Sequence, residues 1–238
     1  MNNTENTFWI EYQFSFLEAK DRKDMVFTIN IDKETLQIQT PEKSHETQWS
    51  KLSFYKCSNC PLNTENHKNC PIAYNLSALF DEFQNVYSTE KVKITVKTEE
   101  RVYSKESTVQ QGLRSVFGIF MAASGCPNMN VLKSMVRFHL PFASVEETIY
   151  RHVSNYLLSQ YYAFLEGKKV DFSFEELKKQ NKLVDEVNCG MCKRFENVGE
   201  GDVARNALTI LNVGGLMLNM ELESGVDSLK YLFQNKNN

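Results

Sequence analysis

The sequence predicts an α+β fold in which an antiparallel β-sheet in the N-terminal half packs against a C-terminal helical bundle. Two observations predict this division. Apolar residues alternate at every second position in segments 8–17, 25–31 and 91–97, which is the period of a half-buried strand. Beyond residue 106 the apolar residues recur at helical spacing. With no linker or repeat in the chain, we expect a single domain over 1–238, mostly β over 1–106 and helical over 107–238.

The first half predicts an antiparallel meander. The first strand places Phe8, Ile10 and Tyr12 on one face, and a polar turn separates it from a second strand beginning at Met25. We expect short strands at 36–38 and 51–55, a helix over 72–87, the strand 91–97 and a return strand over 101–104. The sheet would then have about five or six strands.

Four helices are expected in the second half. The first three follow a Ser or Thr with Glu or Gln three residues later, which is the sequence signature of a capping box. The fourth is apolar on nearly all sides after Leu208, as in a buried central helix. Gly125 is expected to end the first of these helices. The predicted N-caps are Thr108, Ser144, Ser173 and Asp202.

Composition excludes several classes of protein. The net charge of −3 disfavours binding of nucleic acid. The N-terminus has neither the basic nor the apolar region of a signal peptide. The most apolar stretch, 208–220, is shorter than the ~20 residues that a membrane-spanning helix needs. We therefore expect a soluble cytoplasmic protein, acting as a homo-oligomer or with a protein partner.

A cluster of cysteines is the strongest chemical signal. Cys57 and Cys60 form a C-x2-C pair, and Cys70 follows soon after, with His67 between them. Such spacing is typical of a zinc site. Two ligand sets are open: Cys57, Cys60, Cys70 and the distant Cys126, which we favour slightly, or the same three cysteines with His67.

A proline follows Cys60, Cys70 and Cys126, and it restricts the backbone of each. A site with four protein ligands leaves no open position for water, so a zinc ion there would be structural. Four thiolates would also suit an iron–sulfur cluster. The remaining alternative is that these residues are ordinary reduced thiols, since free cysteine is often buried as a small apolar residue.

Cys189 and Cys192 form a second C-x2-C pair, which could be redox-active or bind a second metal. The pair falls in the middle of a predicted helix rather than at the helix N-terminus that redox pairs use. We therefore expect these two cysteines to have no chemical role.

An enzymatic pocket is the third functional hypothesis. It would involve Arg137, His139 and Arg151, between the sheet and the bundle. The chain contains none of the common phosphate-binding, hydrolase or metalloprotease motifs, which disfavours an enzyme but does not exclude one.

Five short motifs resemble an uncharacterised bacterial family, a domain of unknown function. They are Cys57-x-x-Cys60-Pro-Leu, Cys70-Pro-Ile-Ala, Tyr103-Ser-Lys-Glu, Ser124-Gly-Cys-Pro127 and Arg137-Phe-His-Leu-Pro-Phe-Ala143. The resemblance implies a soluble bacterial protein with a single domain, and it brings no activity or substrate. Cys189 and Cys192 lie outside these motifs.

The function predicted from sequence is therefore a regulatory or interaction module stabilised by a cysteine-ligated metal, zinc in the first instance. A redox protein using an iron–sulfur cluster or the Cys189/Cys192 pair is the second hypothesis. An enzyme with a pocket around Arg137 and His139 is the third.

Overall fold

The computed structural model describes residues 6–18, 22–198 and 203–234 and confirms the α+β fold. Within these ranges the strands form one antiparallel sheet of order β2-β1-β3-β4. Alternate residues of β1, among them Ile10, Tyr12 and Phe14, are buried against the helices. The strands are β1 (Thr7–Phe16), β2 (Met25–Asp32), β3 (Lys91–Lys97) and β4 (Val102–Thr108).

The predicted sheet of five or six strands was too large. At 36–38 a single bridge joins Ile38 to Ile31, because Leu36 has a left-handed backbone (φ 54°) that no strand can continue. At 51–55 the chain forms turns instead of a strand, and one isolated bridge joins Lys51 to Asn69.

Six α-helices and two 3₁₀ helices follow or interrupt the sheet in the described residues. Helix α6 packs against both α2 and α5, and α1 packs on α2. The α-helices are α1 (Pro71–Phe83), α2 (Val109–Ala123), α3 (Lys133–Arg137), α4 (Val145–Leu165), α5 (Glu175–Glu196) and α6 (Val203–Glu223). The 3₁₀ helices are Pro127–Leu132 and Asp227–Leu232. None of the described helices is long and apolar enough to cross a membrane.

The predicted capping boxes had mixed outcomes. Ser144 forms one at the start of α4, and Gly125 follows α2 with φ 86°. Thr108 precedes α2 as predicted, but its buried hydroxyl has no partner among the described residues. The box at Ser173 was wrong, because Asp171 instead accepts the backbone N–H groups of Ser173 and Glu176, each at 2.8 Å. Asp202 lies outside the described residues.

Apolar side chains form two separate clusters. The larger, which we call the main core, joins the sheet to α1, α2, α5 and the first part of α6. The smaller, which we call the distal cluster, consists of Ile149, Val153, Tyr156, Leu177, Leu218, Leu222 and Leu229. Helix α6 contributes to both clusters, but it is not the buried central helix that we predicted. Val213, Leu216 and Met220 are exposed, because its neighbours α2, α4 and α5 do not cover that face.

Candidate metal centre

The turn that carries Cys57 and Cys60 lies against helix α5. The N–H of Cys60 donates to the carbonyl of Cys57 at 3.1 Å, which closes the turn. Asn59 donates from Nδ2 to the carbonyl of Leu183 at 2.9 Å. The Ser58 hydroxyl donates to a carboxylate oxygen of Glu186 at 2.9 Å. These bonds hold the cysteine pair on one face of α5.

Cys70 and Cys126 occupy equivalent positions at the starts of two helices. Cys70 is the N-cap of α1, with φ −69° and ψ 122°. Cys126 is the N-cap of the first 3₁₀ helix, with φ −65° and ψ 122°. Each is followed by proline at the first helical position, where the missing N–H has no cost. Neither side chain meets the geometry of a helix cap, although the backbone N–H groups of Asn128 and Met129 act on the Cys126 thiol and lower its pKa.

The Cys126 segment is joined directly to the turn of the C-x2-C pair. Asn128, two residues after Cys126, donates from Nδ2 to the carbonyl of Asn59 at 3.0 Å. The N–H of Cys70 donates to the carbonyl of Ser50 at 2.8 Å, which fixes the third segment. Three distant parts of the chain are therefore tied into one region.

The thiols of this region act on one another electrostatically. Burial, together with the neighbouring Cys70, Cys60 and Cys126, raises the pKa of Cys57 to about 12, against a smaller lowering by Arg194. Burial also raises the pKa of Cys126 to about 11, partly offset by the backbone N–H groups of Asn128 and Met129, while Cys70 and Cys60 add to the rise. All six cysteines of the chain are free thiols.

The sulfurs are neighbours, but they are not gathered as ligands. Across residues 6–18, 22–198 and 203–234, no group of three or more His, Cys, Asp or Glu side chains is placed so that it could hold a metal ion. The donor chemistry nevertheless suits a soft cation, because four thiols come from three segments and two of them, Cys70 and Cys126, stand at helix starts. His67 lies on the exposed part of the loop, and its described hydrogen bond runs from its backbone N–H to the carbonyl of Asn63.

Two residues of α5 complete the region, and sequence reasoning missed both. A Cβ atom added at Gly190 would lie 2.4 Å from the sulfur of Cys57 and 3.2 Å from its Cβ. Glycine is therefore needed for the turn to approach the helix this closely. The sequence did contain a signal for Gly190, because a glycine inside a predicted helix costs stability and usually has a packing reason.

Arg194 is the second residue of α5 that completes the region, and only 1% of its surface is exposed. Its guanidinium donates to the carbonyls of Trp49, Lys51 and Tyr55, the last two belonging to the segment that we predicted as a strand. Those carbonyls accept from Arg194 instead of a neighbouring strand. No carboxylate of the described residues lies within salt-bridge distance of this buried cation.

Cys189 and Cys192 lie in the middle of α5, as the sequence predicted. Cys189 is exposed, and its sulfur is 4.0 Å from Oδ1 of Asn212. Burial raises the pKa of Cys192 to about 11, with Cys189 adding to the shift. A redox-active thiol needs the opposite shift.

The third predicted site is a small cavity of about 200 Å³ lined by Arg137, His139 and Arg151. His139 shares a hydrogen bond of 2.6 Å with the hydroxyl of Tyr12, and burial lowers its pKa to about 3. Arg137 lies over the ring of Phe8, and Arg151 donates to two backbone carbonyls. These side chains are engaged in holding the loop before α4.

No curated protein and no solved structure matches the chain. A family model matches residues 10–234, which is nearly the whole length. That family is described as a domain of unknown function, as the sequence motifs had suggested. The chain therefore belongs to the family Domain of unknown function (DUF6901).

Proposed function

We propose that this protein is an interaction or regulatory module whose architecture is fixed by one structural zinc ion bound to Cys57, Cys60, Cys70 and Cys126. The observation that carries the proposal is that hydrogen bonds bring the segments of these four cysteines into one region against α5, where Cys70, Cys60 and Cys126 act electrostatically on Cys57. His67 is exposed on the loop and is the weaker choice for the fourth ligand.

The chemistry of the donors favours a closed site. Thiolates are soft ligands that select zinc, and four of them fill its tetrahedral shell. Each thiol must lose its proton on binding, so burial that resists ionisation in the free protein is overcome by the metal. In the thiol form nothing draws the sulfurs together, and zinc would supply that attraction.

The charge of Arg194 fits the same proposal. A zinc ion with four thiolates carries two negative charges, which are costly to bury unless a cation lies nearby. Arg194 is a buried cation that acts on Cys57 and has no acidic partner within salt-bridge distance among the described residues. The metal–thiolate group would balance this charge.

An iron–sulfur cluster is the second candidate, because the same four thiolates and the cysteine–proline pairs suit it. It would make the protein an electron carrier or redox sensor. Colour separates the two candidates, since a zinc protein is colourless and an iron–sulfur protein absorbs near ~400 nm.

The test is elemental analysis of protein purified without added metal, together with its visible spectrum. We expect about one zinc per chain, reduced strongly in Cys60→Ser and Cys126→Ser. The matched control is Cys189→Ser, which should keep full metal content and full thermal stability. His67→Ala tests the other ligand set and should also keep the metal. Zinc-free and iron-free wild-type protein, or equal melting temperatures with and without a strong chelator, would refute the proposal.

A further inference from the structure

A groove lies beside the free edge of the sheet. It has a volume of about 540 Å³ and is bounded by strand β2, helix α1 and the segment 39–43. Because the strand order is β2-β1-β3-β4, β2 has a neighbouring strand on one side only. The apolar side chains lining the groove include Phe27, Leu79 and Phe120.

Part of this edge is already paired by the protein itself. The N–H of Gln39 donates to the carbonyl of Asn30 at 2.8 Å, and the N–H of Asp32 donates to the carbonyl of Gln37 at 2.9 Å. Ile38 therefore pairs antiparallel with Ile31 at the end of β2. The edge is competent to accept an added strand.

The rest of the edge has the same backbone groups without a partner. In an antiparallel strand the N–H and C=O of alternate residues point to the same side. Val26 and Thr28 therefore point these groups away from β1, as Asn30 does. Among the described residues, no backbone or side-chain group bonds to them from that side.

The chain leaves the edge just where a longer strand would have covered it. Pro41, which lines the groove, cannot donate a backbone hydrogen bond to β2. Beyond it, the N–H of Ser44 donates to the carbonyl of Pro41 at 2.8 Å, so the chain turns away. The groove between β2 and α1 is left open beside this part of the edge.

We propose that this groove binds an extended peptide segment of a partner protein, which adds to β2 as a further strand. The peptide backbone would bond to Val26 and Thr28. Its side chains would face a mixed lining, in which Phe27 is apolar and Glu42 and Glu82 are acidic. A single strand is favoured over a second copy of this chain, because the unpaired edge is short and is flanked by the protein's own segment 39–43. This inference does not depend on the metal site.

The probe is a phage-displayed library of random peptides of about nine residues, selected on the intact protein as purified. The tightest peptide is then synthesised with a fluorophore, and its Kd is measured by fluorescence polarisation. Thr28→Pro removes one outward N–H, a change that an edge strand tolerates, and should weaken binding about tenfold. The matched control, Thr28→Val, keeps the N–H and should leave the Kd within about twofold.

A scan of backbone N-methyl groups along the peptide gives a second test that does not require any protein variant to fold. Methylation should abolish binding at every second position and be tolerated between, because alternate residues face β2. Failure to select any saturable peptide, or binding that ignores both Thr28→Pro and the methylation pattern, would overturn the proposal. So would a wild-type dimer in sedimentation velocity that Thr28→Pro dissociates, because β2 would then pair with its own copy.

Discussion

Replacing Gly190 by alanine tests the close approach of the cysteine turn to α5. The new Cβ would lie 2.4 Å from the sulfur of Cys57, more than 1 Å inside a normal carbon–sulfur contact of roughly 3.5–4 Å. Rotating the sulfur away leaves the Cβ of Cys57 at 3.2 Å and its Cα at 3.6 Å, so part of the crowding remains. That rotation would also move the sulfur from its place beside the other three cysteines.

The expected change in unfolding free energy of Gly190→Ala follows from two opposing effects. Overpacking of a tight contact costs about 1–3 kcal/mol. Alanine in a helix interior recovers about 0.5–1 kcal/mol relative to glycine. We therefore expect Gly190→Ala to lose about 1–2 kcal/mol of unfolding free energy and, under the proposed zinc site, to bind less zinc than the wild type.

The matched control is Gly214→Ala in α6, where an added Cβ meets nothing within 4 Å. This variant should gain about 0.5–1 kcal/mol, so the two substitutions should differ in sign. Urea unfolding followed by circular dichroism gives both values. If Gly190→Ala were as stable as Gly214→Ala, the argument for close contact with Cys57 would fail.

Three further predictions concern charge and exposure. Arg194→Met leaves three buried or half-buried carbonyls without their donor and should lower the unfolding free energy by about 3 kcal/mol. Exposed Arg205→Met should change it by less than about 0.5 kcal/mol, and urea unfolding measures both. Equal effects would contradict the account of Arg194. The hydroxyl of Ser173 and backbone N–H groups hold the pKa of Asp171 below its usual range, so Asp171→Asn should lower the melting temperature at pH 7. The difference from the wild type should shrink below about pH 4, because the stabilising ionisation of Asp171 is lost there. A difference that does not depend on pH would refute this prediction. Limited alkylation with mass spectrometry should modify exposed Cys189 before buried Cys70, and the reverse order would contradict the placement of α5.

Sequence alone predicted the parts of the fold that follow from local periodicity. The alternation in β1, β2 and β3 and the stripes of α2, α4 and α5 are properties of single segments, and the structure has them near the predicted bounds. The segment 51–55 failed, because Arg194, more than a hundred residues away, takes the carbonyls of Lys51 and Tyr55. The cap of α5 failed because Asp171 competes with Ser173 as acceptor.

The four cysteines of the candidate metal centre could be selected from sequence for the same reason, and their binding of a metal stays a prediction. Spacing and the following prolines indicated Cys57, Cys60, Cys70 and Cys126, since these are local signals. Gly190 and Arg194 lie next to the cysteine turn and the segment before it only after α5 has packed there, so their roles depend on tertiary structure. Only the glycine left a trace in the sequence, as an unfavourable residue within a helix.

The division of the apolar side chains into two clusters has a consequence for how the molecule opens. The distal cluster holds α4 with three buried residues, Ile149, Val153 and Tyr156, while the main core holds the sheet. A region with so few buried contacts separates at a lower free energy than the whole chain unfolds. Amide hydrogens of α4 should therefore exchange with solvent through a partial opening that leaves the sheet protected, and a protease would cut there first.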